Sequence, residues 1–250
     1  MRELTLFQRS SKNMSHFSSF RRFGLAGLVL FSAVAVYSAP AKPNWLLTFT
    51  LSDKGSHIIG NPNAPTKIVE YMSYTCGHCA DFENNDAPLL KTQYVANGKA
   101  SFEIRNLVLN PVDLTAAMLA RCGGKARFFG NHKHLLATQK TWLSKANKIS
   151  EATNAKLQSK DYTGYMTGVY VETGLSNIMQ QRGVTLAQGK KCIADKASFD
   201  ATIAMSDEGS KLGVNGTPSF LINGKLQDHM HNFQELKSVL DFDKGLKHAH

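Results

Sequence analysis

The sequence predicts an α/β fold in which a β-α-β unit and a C-terminal ββα unit are separated by a large helical insertion. Three observations indicate this fold. Strand-like and helical patterns alternate between residues 66 and 109, residues 111–209 show only helical patterns, and a short hairpin followed by an amphipathic helix closes the chain. Alternation of strands and helices is typical of a parallel sheet, so the helical block interrupts an α/β unit.

The β-α-β unit begins with residues 66–72 (TKIVEYM), which are rich in β-branched and aromatic residues. Apolar residues at helical spacing then predict a helix over residues 76–96, with a kink at Pro88 and an end at Asn97-Gly98. Residues 100–109 (ASFEIRNLVL) predict the second strand. A shorter apolar run, residues 45–51, is interpreted as an edge strand.

The insertion contains several helical stretches separated by glycines. They cover about residues 111–122, 125–140, 163–182, 185–195 and 196–209, with Thr185 as an N-cap. Beyond it, Asn223-Gly224 joins two short strands, residues 219–222 and 225–227, because Asn-Gly is a strong hairpin signal. A final helix over residues 232–240 places Phe233, Leu236, Val239 and Leu240 on its inner face.

The N-terminus has the pattern of a secretory signal peptide. Arg21 and Arg22 precede an uncharged, largely apolar run over residues 23–36, and small residues follow it. We therefore expect residues 1–39 to be a signal peptide, residues 40–250 to form the mature domain, and the protein to reach the periplasm. An uncleaved membrane anchor or a buried apolar segment are the alternatives, and Met14 is an alternative start.

The charge of the chain argues against nucleic-acid binding. The formal net charge is +10, and removal of residues 1–39 leaves +6. The lysines are spread along the chain and do not cluster with aromatic residues on one element, which nucleic-acid surfaces require. A charge of this size favours solubility, and no nucleic-acid partner is expected.

Cys76-Gly77-His78-Cys79 follows the first predicted strand and opens the predicted helix. A thiolate at a helix N-terminus faces unpaired backbone N–H groups, which lower a cysteine pKa from about 8.5 to about 3.5–7.5. Cys76 is therefore the expected nucleophile and Cys79, one turn further on, the buried resolving thiol. His78 adds partial positive charge beside the thiolate. A stabilised thiolate favours the reduced form and makes the pair an oxidant.

Other uses of two cysteines at this spacing remain open. A static disulfide, half of a zinc site and a copper-binding module are the alternatives, since two thiolates suit Cu(I) and Zn²⁺. Neither Cys122 nor Cys192 has a partner three residues away to complete a zinc site, and Ala80 stands where haem attachment needs His. The pattern implies no cofactor.

A second motif, residues 213–218 (GVNGTP), lies directly before the C-terminal hairpin. The strand followed by Cys-Gly-His-Cys, the helical insertion and residues 213–224 (GVNGTPSFLING) together resemble the DsbA-like bacterial thiol:disulfide interchange proteins of the thioredoxin superfamily. Residues 60–65 (GNPNAP) are also similar to that family. The resemblance covers about residues 55–242, and it implies a thioredoxin-like fold with a helical insertion at about residues 111–209.

The resemblance also implies roles for site residues. Cys76 and Cys79 form the redox pair, His78 tunes it, and Thr217-Pro218 forms the cis-proline loop that packs beside the disulfide and offers backbone to an extended substrate peptide. Gly77 stands where the best-known oxidases have Pro. Gly-His between the cysteines is similar to eukaryotic disulfide isomerases.

The resemblance implies an enzyme that introduces disulfides into exported proteins with cysteine thiols and is reoxidised by a membrane partner. The alternative is a disulfide reductase or isomerase. The short segment of residues 40–55 has no room for an isomerase-type dimerisation domain, so we expect a monomer.

The remaining cysteines and histidines have local interpretations. Cys122 and Cys192 lie at opposite ends of the insertion and are interpreted as a structural disulfide; a regulatory thiol pair and buried free thiols are the alternatives. His132 and His134 are interpreted as surface residues of a helix.

Overall fold

The computed structural model describes residues 43–227, 230 and 232–247. The predicted signal peptide, residues 1–39, lies outside this described part. A six-stranded sheet forms the centre, with the strand order β1-β2-β4-β3-β5-β6. Its strands are β1 (Phe49–Leu51), β2 (His57–Gly60), β3 (Thr66–Met72), β4 (Ala100–Asn106), β5 (Ser219–Ile222) and β6 (Lys225–Gln227).

Strand β3 is central because its side chains are buried on both faces from Ile68 to Met72. It pairs in parallel with β4, Ile68 facing Phe102, and antiparallel with β5, Val69 facing Leu221. Parallel pairing of β3 and β4 across the intervening helix confirms the predicted β-α-β unit. Antiparallel β5 and β6 then extend the sheet as a hairpin.

The N-terminal edge of the sheet differs from the prediction. The apolar run at residues 45–51 forms a 3₁₀ turn, Trp45–Leu47, before the edge strand β1, and β2 (His57–Gly60) was not predicted. Four residues are too few to display an alternating pattern. Their strand conformation depends on pairing with β4, which only the tertiary structure supplies.

The helix after Cys76 is interrupted, as Pro88 predicts. It consists of α1 (Gly77–Asp81) and α2 (Ala87–Leu90), each followed by one wide π-turn, Phe82–Asp86 and Lys91–Val95. Pro88 lacks an N–H and lies in the first turn of α2, where a missing donor is tolerated. The interruption therefore takes the form of π-turns within one continuous helical path.

The insertion is helical throughout its described residues. Its helices are α3 (Pro111–Ala120), α4 (Lys125–Ala137), α5 (Gln139–Leu143), α6 (Glu151–Gln158), α7 (Tyr162–Glu172), α8 (Leu175–Gln181), α9 (Leu186–Ile193) and α10 (Lys196–Lys211). The prediction missed α5 as a separate helix and α6 altogether. It also joined α7 to α8, which separate at Gly174 because that residue has a φ of +77°.

Two local predictions in the second half are confirmed. Thr185 is the N-cap of α9 and forms a full capping box with Gln188. Asn223 and Gly224, with φ of 50° and 82°, join β5 to β6. The last helix, α11 (Phe233–Lys247), runs beyond the predicted residue 240.

The two faces of β3 are covered by different elements. Ile68 and Met72 belong to the main core, which the sheet shares with the insertion and with α11. Val69 and Tyr71 point to a smaller cluster on the other face. Gly209 of α10 lies against the Tyr71 ring so closely that an added Cβ would come within 2.6 Å of it, so α10 covers this second face. None of the described helices is both long and apolar enough to cross a membrane.

Candidate active site

The loop between β3 and α1 is held by the buried carboxylate of Asp113 on α3. Asp113 accepts hydrogen bonds from the Tyr74 N–H and the Ser73 hydroxyl, both at 2.7 Å, and from the Leu109 N–H at 2.9 Å. Burial raises the pKa of Asp113 to about 6, although these donors favour its ionised form. One side chain thus joins the carboxyl ends of β3 and β4 to the start of the insertion.

A second insertion residue fixes the backbone at Cys76. The buried Gln139 side chain on α5 donates from Nε2 to the carbonyl oxygens of Tyr74 and Cys76, both at 2.8 Å. Gln139 and Asp113 together hold the chain on both sides of Tyr74. The position of Cys76 is therefore set by the insertion as well as by the sheet.

Cys76 is the N-cap residue of α1 and is half-buried, whereas Cys79 is fully buried; both are free thiols. A hydrogen bond from the Cys79 thiol lowers the pKa of Cys76 from 9.0 to about 5, against the effect of burial. The Thr217 side chain and the backbone N–H groups of Cys79 and His78 contribute further lowering. Cys76 is thus a thiolate at neutral pH.

Cys79 has the opposite electrostatic environment. Burial raises its pKa well above 9.0, and hydrogen bonding to Cys76 raises it further. The two thiols of one motif therefore differ in both exposure and acidity. Cys76 can meet a partner as a thiolate, whereas Cys79 retains its proton behind it.

The loop before β5 lies directly against the reactive sulfur. The Thr217–Pro218 peptide bond is cis, and the Cys76 Sγ lies 3.1 Å from the Thr217 carbonyl oxygen. Pro218 is buried and has no N–H. Residues 141 positions apart in sequence therefore form one site.

His78 lies between the cysteines with its side chain exposed. Its backbone N–H is one of the groups that lower the pKa of Cys76. An imidazole at this position lies at the open side of the site, where a bound partner would meet it.

Beneath the motif lies a group of buried charges that the sequence analysis missed. Glu83 accepts from Lys91 Nζ at 2.8 and 3.1 Å, and its Oε2 lies 3.5 Å from His132 Nε2. Burial opposes ionisation, but hydrogen bonding and charge from His132 and Lys91 prevail and lower the Glu83 pKa to about 2. The surface assignment of His132 was wrong, because its ring is fully buried with Nδ1 2.9 Å from the Tyr74 hydroxyl oxygen.

Glu70, on β3, is a second missed residue. It is 1% exposed, and its Oε2 has no hydrogen-bond partner within the described chain. Burial raises the pKa of Glu70 well above its usual value, and the nearby charge of Glu83 adds to this effect. A protonated carboxyl therefore lies near the cysteine pair. The sequence signal was present, since Glu70 is the one acid in an otherwise apolar strand core, TKIVEYM.

Cys122 and Cys192 form a disulfide with a Cα–Cα distance of 5.5 Å across a sequence separation of 70. The disulfide links Cys122, which follows α3, with Cys192 in α9, so it lies within the insertion and apart from the β3–α1 loop.

The described residues contain no group of three or more His, Cys, Asp or Glu side chains able to hold a metal ion. The copper or zinc module therefore finds no further ligands in the described part of the chain.

A protein-family model described as Thioredoxin matches residues 52–242. The chain belongs to this thioredoxin family. Among curated proteins, a putative protein-disulfide oxidoreductase of Rickettsia bellii is 29% identical over 204 residues, which are 81% of this chain and 69% of that protein. For a second such protein, from Rickettsia typhi, the aligned residues cover 78% of this chain and 64% of the relative, so part of the relatives' length has no counterpart here.

Two solved structures have a similar fold. The crystal structure of a protein-disulfide isomerase from Novosphingobium aromaticivorans has a TM-score of 0.69 at 30% identity, covering 74% of this chain and 95% of that one. Wolbachia pipientis α-DsbA1 has a TM-score of 0.62 at 22% identity, covering 83% of this chain and 100% of that one. The thioredoxin-like fold with a helical insertion is confirmed, and this member of the family is a thiol–disulfide oxidoreductase.

Proposed function

We propose that this oxidoreductase is exported to the periplasm and introduces disulfides into exported proteins through Cys76 and Cys79. The observation that carries the proposal is the stabilised thiolate of Cys76, whose pKa is about 5. Whatever stabilises the thiolate stabilises the reduced protein, so the disulfide form gives up its oxidising equivalents readily. An acidic, accessible first thiol is the property that an oxidase requires.

The reaction is a pair of thiol–disulfide exchanges. A substrate thiolate attacks Sγ of Cys76 in the Cys76–Cys79 disulfide, and Cys79 leaves with the electron pair and takes up a proton. The second substrate thiolate then attacks the substrate sulfur of the mixed disulfide and expels Cys76 as a thiolate. The substrate loses two electrons and gains a disulfide, and the enzyme becomes a dithiol. A low pKa makes Cys76 a good leaving group in this second step.

Thr217, Pro218 and His78 are proposed to serve the bound substrate. The Thr217 carbonyl oxygen lies beside the reactive sulfur, and Pro218 presents no N–H there. An extended substrate strand is proposed to pair with this loop edge and hold its sulfur near Cys76. His78, exposed beside them, is proposed to tune the thiolate. The Cys122–Cys192 disulfide is proposed to be structural.

The cycle implies two kinds of partner. Exported proteins with free thiols are the substrates, and a membrane redox partner reoxidises the dithiol; a monomer acting without a cofactor is sufficient for both exchanges.

Export itself is proposed from the N-terminal pattern. N-terminal sequencing of the protein recovered from the periplasm tests it, with cleavage after Ser38, Ala39 or Ala41 expected, and an uncleaved chain in the membrane fraction would contradict it.

A disulfide isomerase is the second candidate. Gly77-His78 between the cysteines favours it, and the solved Novosphingobium protein is called a protein-disulfide isomerase. An isomerase needs its dithiol kept reduced, whereas an oxidase needs its disulfide restored. The two functions therefore differ in which state of Cys76 and Cys79 persists in the cell.

Equilibrium titration of the Cys76–Cys79 disulfide against glutathione tests the proposal. We expect a reduction potential between about −120 and −180 mV, the range of strong oxidants and isomerases, and a disulfide-bonded pair in cells quenched with acid and alkylated. A potential near that of thioredoxin, about −270 mV, would contradict an oxidase. A pair found reduced in the native compartment would favour the isomerase.

A further inference from the structure

A cavity of about 270 Å³ opens at the edge of the helical insertion, beside the Cys122–Cys192 disulfide. Its wall includes His57 of β2, Arg121 and Gly124 before α4, Lys125 at the first turn of α4, and Asp195 before α10. A water molecule occupies roughly 30 Å³, so the cavity has room for an ion of several atoms. None of these residues takes part in the redox site described above.

Arg121 contributes a positive charge that no carboxylate of the described chain contacts. Its Nη2 donates to the Gly55 carbonyl oxygen at 2.7 Å, but its Nε is buried without a hydrogen-bond partner. No carboxylate of the described chain lies within 4.0 Å of the guanidinium. A guanidinium partly removed from water and left unpaired is unfavourable, and a carboxylate or phosphate would match its donors.

In the same wall, His57 provides a buried ring nitrogen without a partner among the described residues. The ring is 3% exposed and stacks on Phe128 with centroids 3.6 Å apart. Its Nδ1 is buried and has no partner in the described part of the chain. Burial, together with the charge of Arg121, lowers the pKa of His57 to about 3, so the ring is neutral and carries one N–H to donate.

The N-terminus of α4 completes the wall with further positive potential. Its N-cap is Gly124, which has no side chain to cap the first turn, and an added Cβ there would meet nothing within 4 Å. Lys125 follows at the first helical position. Helix N-termini attract anions through their free N–H groups and the helix dipole.

One carboxylate also faces the cavity. Asp195 caps α10 by accepting from the Ala197 N–H at 3.1 Å and the Ser198 hydroxyl at 2.8 Å. Its charge also favours the charged form of Arg121, although the two side chains do not form a salt bridge. With Arg121 and Lys125 positive, the wall retains a net positive charge.

We propose that this cavity binds a compact oxyanion, a phosphate, sulfate or carboxylate group, held by Arg121, His57 and the N-terminus of α4. The anion would supply the missing counter-ion of Arg121 and an acceptor for His57. It would also join the loop between α3 and α4 to β2, beside the disulfide that anchors the same loop.

Thermal unfolding of the full mature protein in phosphate, sulfate and acetate, each compared with chloride at equal ionic strength, tests the proposal. Phosphate at about tenfold over its Kd should raise Tm by about 3–6 °C. Phosphate and sulfate also stabilise folded proteins without binding a site. A greater effect of phosphate and sulfate than of acetate that is lost in Lys125→Glu therefore identifies a tetrahedral oxyanion as the ligand, and the reverse order identifies a carboxylate. Equal Tm in all four salts would overturn the proposal.

Matched variants locate the binding. Arg121→Gln and Lys125→Glu should each abolish the phosphate-induced shift, whereas Lys133→Glu, the same charge change at an exposed position of α4, should retain it. Lys125→Glu decides the matter if Arg121→Gln does not fold, because Lys125 is exposed. A shift that persists in Lys125→Glu would place the anion elsewhere and contradict the assignment.

Discussion

The molecule contains two cysteine pairs whose surroundings differ. Cys76 and Cys79 lie three residues apart at the start of a helix, with an acidic, half-buried first sulfur and a buried second one. Cys122 and Cys192 are 70 residues apart and are joined across helices of the insertion. The first pair is surrounded by groups that change its protonation, whereas the second is joined in a disulfide and does not titrate. Reactivity therefore follows from the environment of a sulfur.

The first test of this difference is to remove each thiol of the reactive pair. We expect Cys76→Ser to reduce dithiol oxidation to the uncatalysed background, because the Cys76–Cys79 disulfide that a substrate thiolate attacks can no longer form. Cys79→Ser should instead accumulate mixed disulfides with substrates, since the resolving thiol is missing. Non-reducing gels of cells that express each variant show the adducts. Adducts in Cys76→Ser and none in Cys79→Ser would reverse the assigned roles.

The second test measures the acidity of Cys76 directly. The alkylation rate of the reduced protein by iodoacetamide should have its midpoint near pH 5, because the pKa falls from 9.0 to about 5 in the folded state. Because the folded pKa of Cys76 is below the unfolded value, the thiolate adds to the free energy of unfolding of the reduced protein. This contribution is complete above pH 9 and is lost as the pH falls through 5. Two results together would contradict the assigned thiolate. The alkylation midpoint would lie near pH 8.5, and the free energy of unfolding would depend on pH equally in Cys76→Ser and in the parent protein.

The third test removes the other pair. Cys122→Ser combined with Cys192→Ser should lower the free energy of unfolding by about 4 kcal/mol, because the unfolded chain regains the entropy of a long loop. Tm should fall by about 8–16 °C for a domain of this size. Oxidation by the protein that remains folded should change by less than about twofold. A large loss of oxidation at unchanged stability would instead indicate a regulatory pair.

The smallest effect is expected from His78. His78→Ala should make the reduction potential more negative by on the order of 30 mV, a tenfold change in the equilibrium constant, because a residue that stabilises the thiolate is removed. Glutathione titration measures it. His134→Ala, on α4, is the matched control and should leave the potential unchanged. Equal potentials in His78→Ala and the parent would show that only the backbone N–H of His78 matters.

The features that could be predicted from sequence depend on neighbours along the chain. A strand followed by Cys-x-x-Cys places the first cysteine at a helix start, since the helix N-terminus is part of the same segment. The Asn223-Gly224 hairpin and the Thr185 capping box likewise depend on two to four adjacent residues. The split at Gly174 and the helix at Glu151–Gln158 were missed because weakly periodic segments do not show where they end.

Which side chains surround the sulfurs was decided by the tertiary structure. Asp113, Gln139 and Thr217 come from three distant segments. Asp113 and Gln139 form hydrogen bonds to the backbone of Tyr74 and Cys76, and the Thr217 carbonyl oxygen lies 3.1 Å from the Cys76 Sγ. His132 looked like a surface residue, yet it lies fully buried beside Glu83. The fold class and the position of Cys76 and Cys79 at a helix start could be predicted from the sequence, because local spacing encodes both. Only folding determined the acidity of those thiols, because a pKa depends on burial and on charges that the chain brings together from far apart.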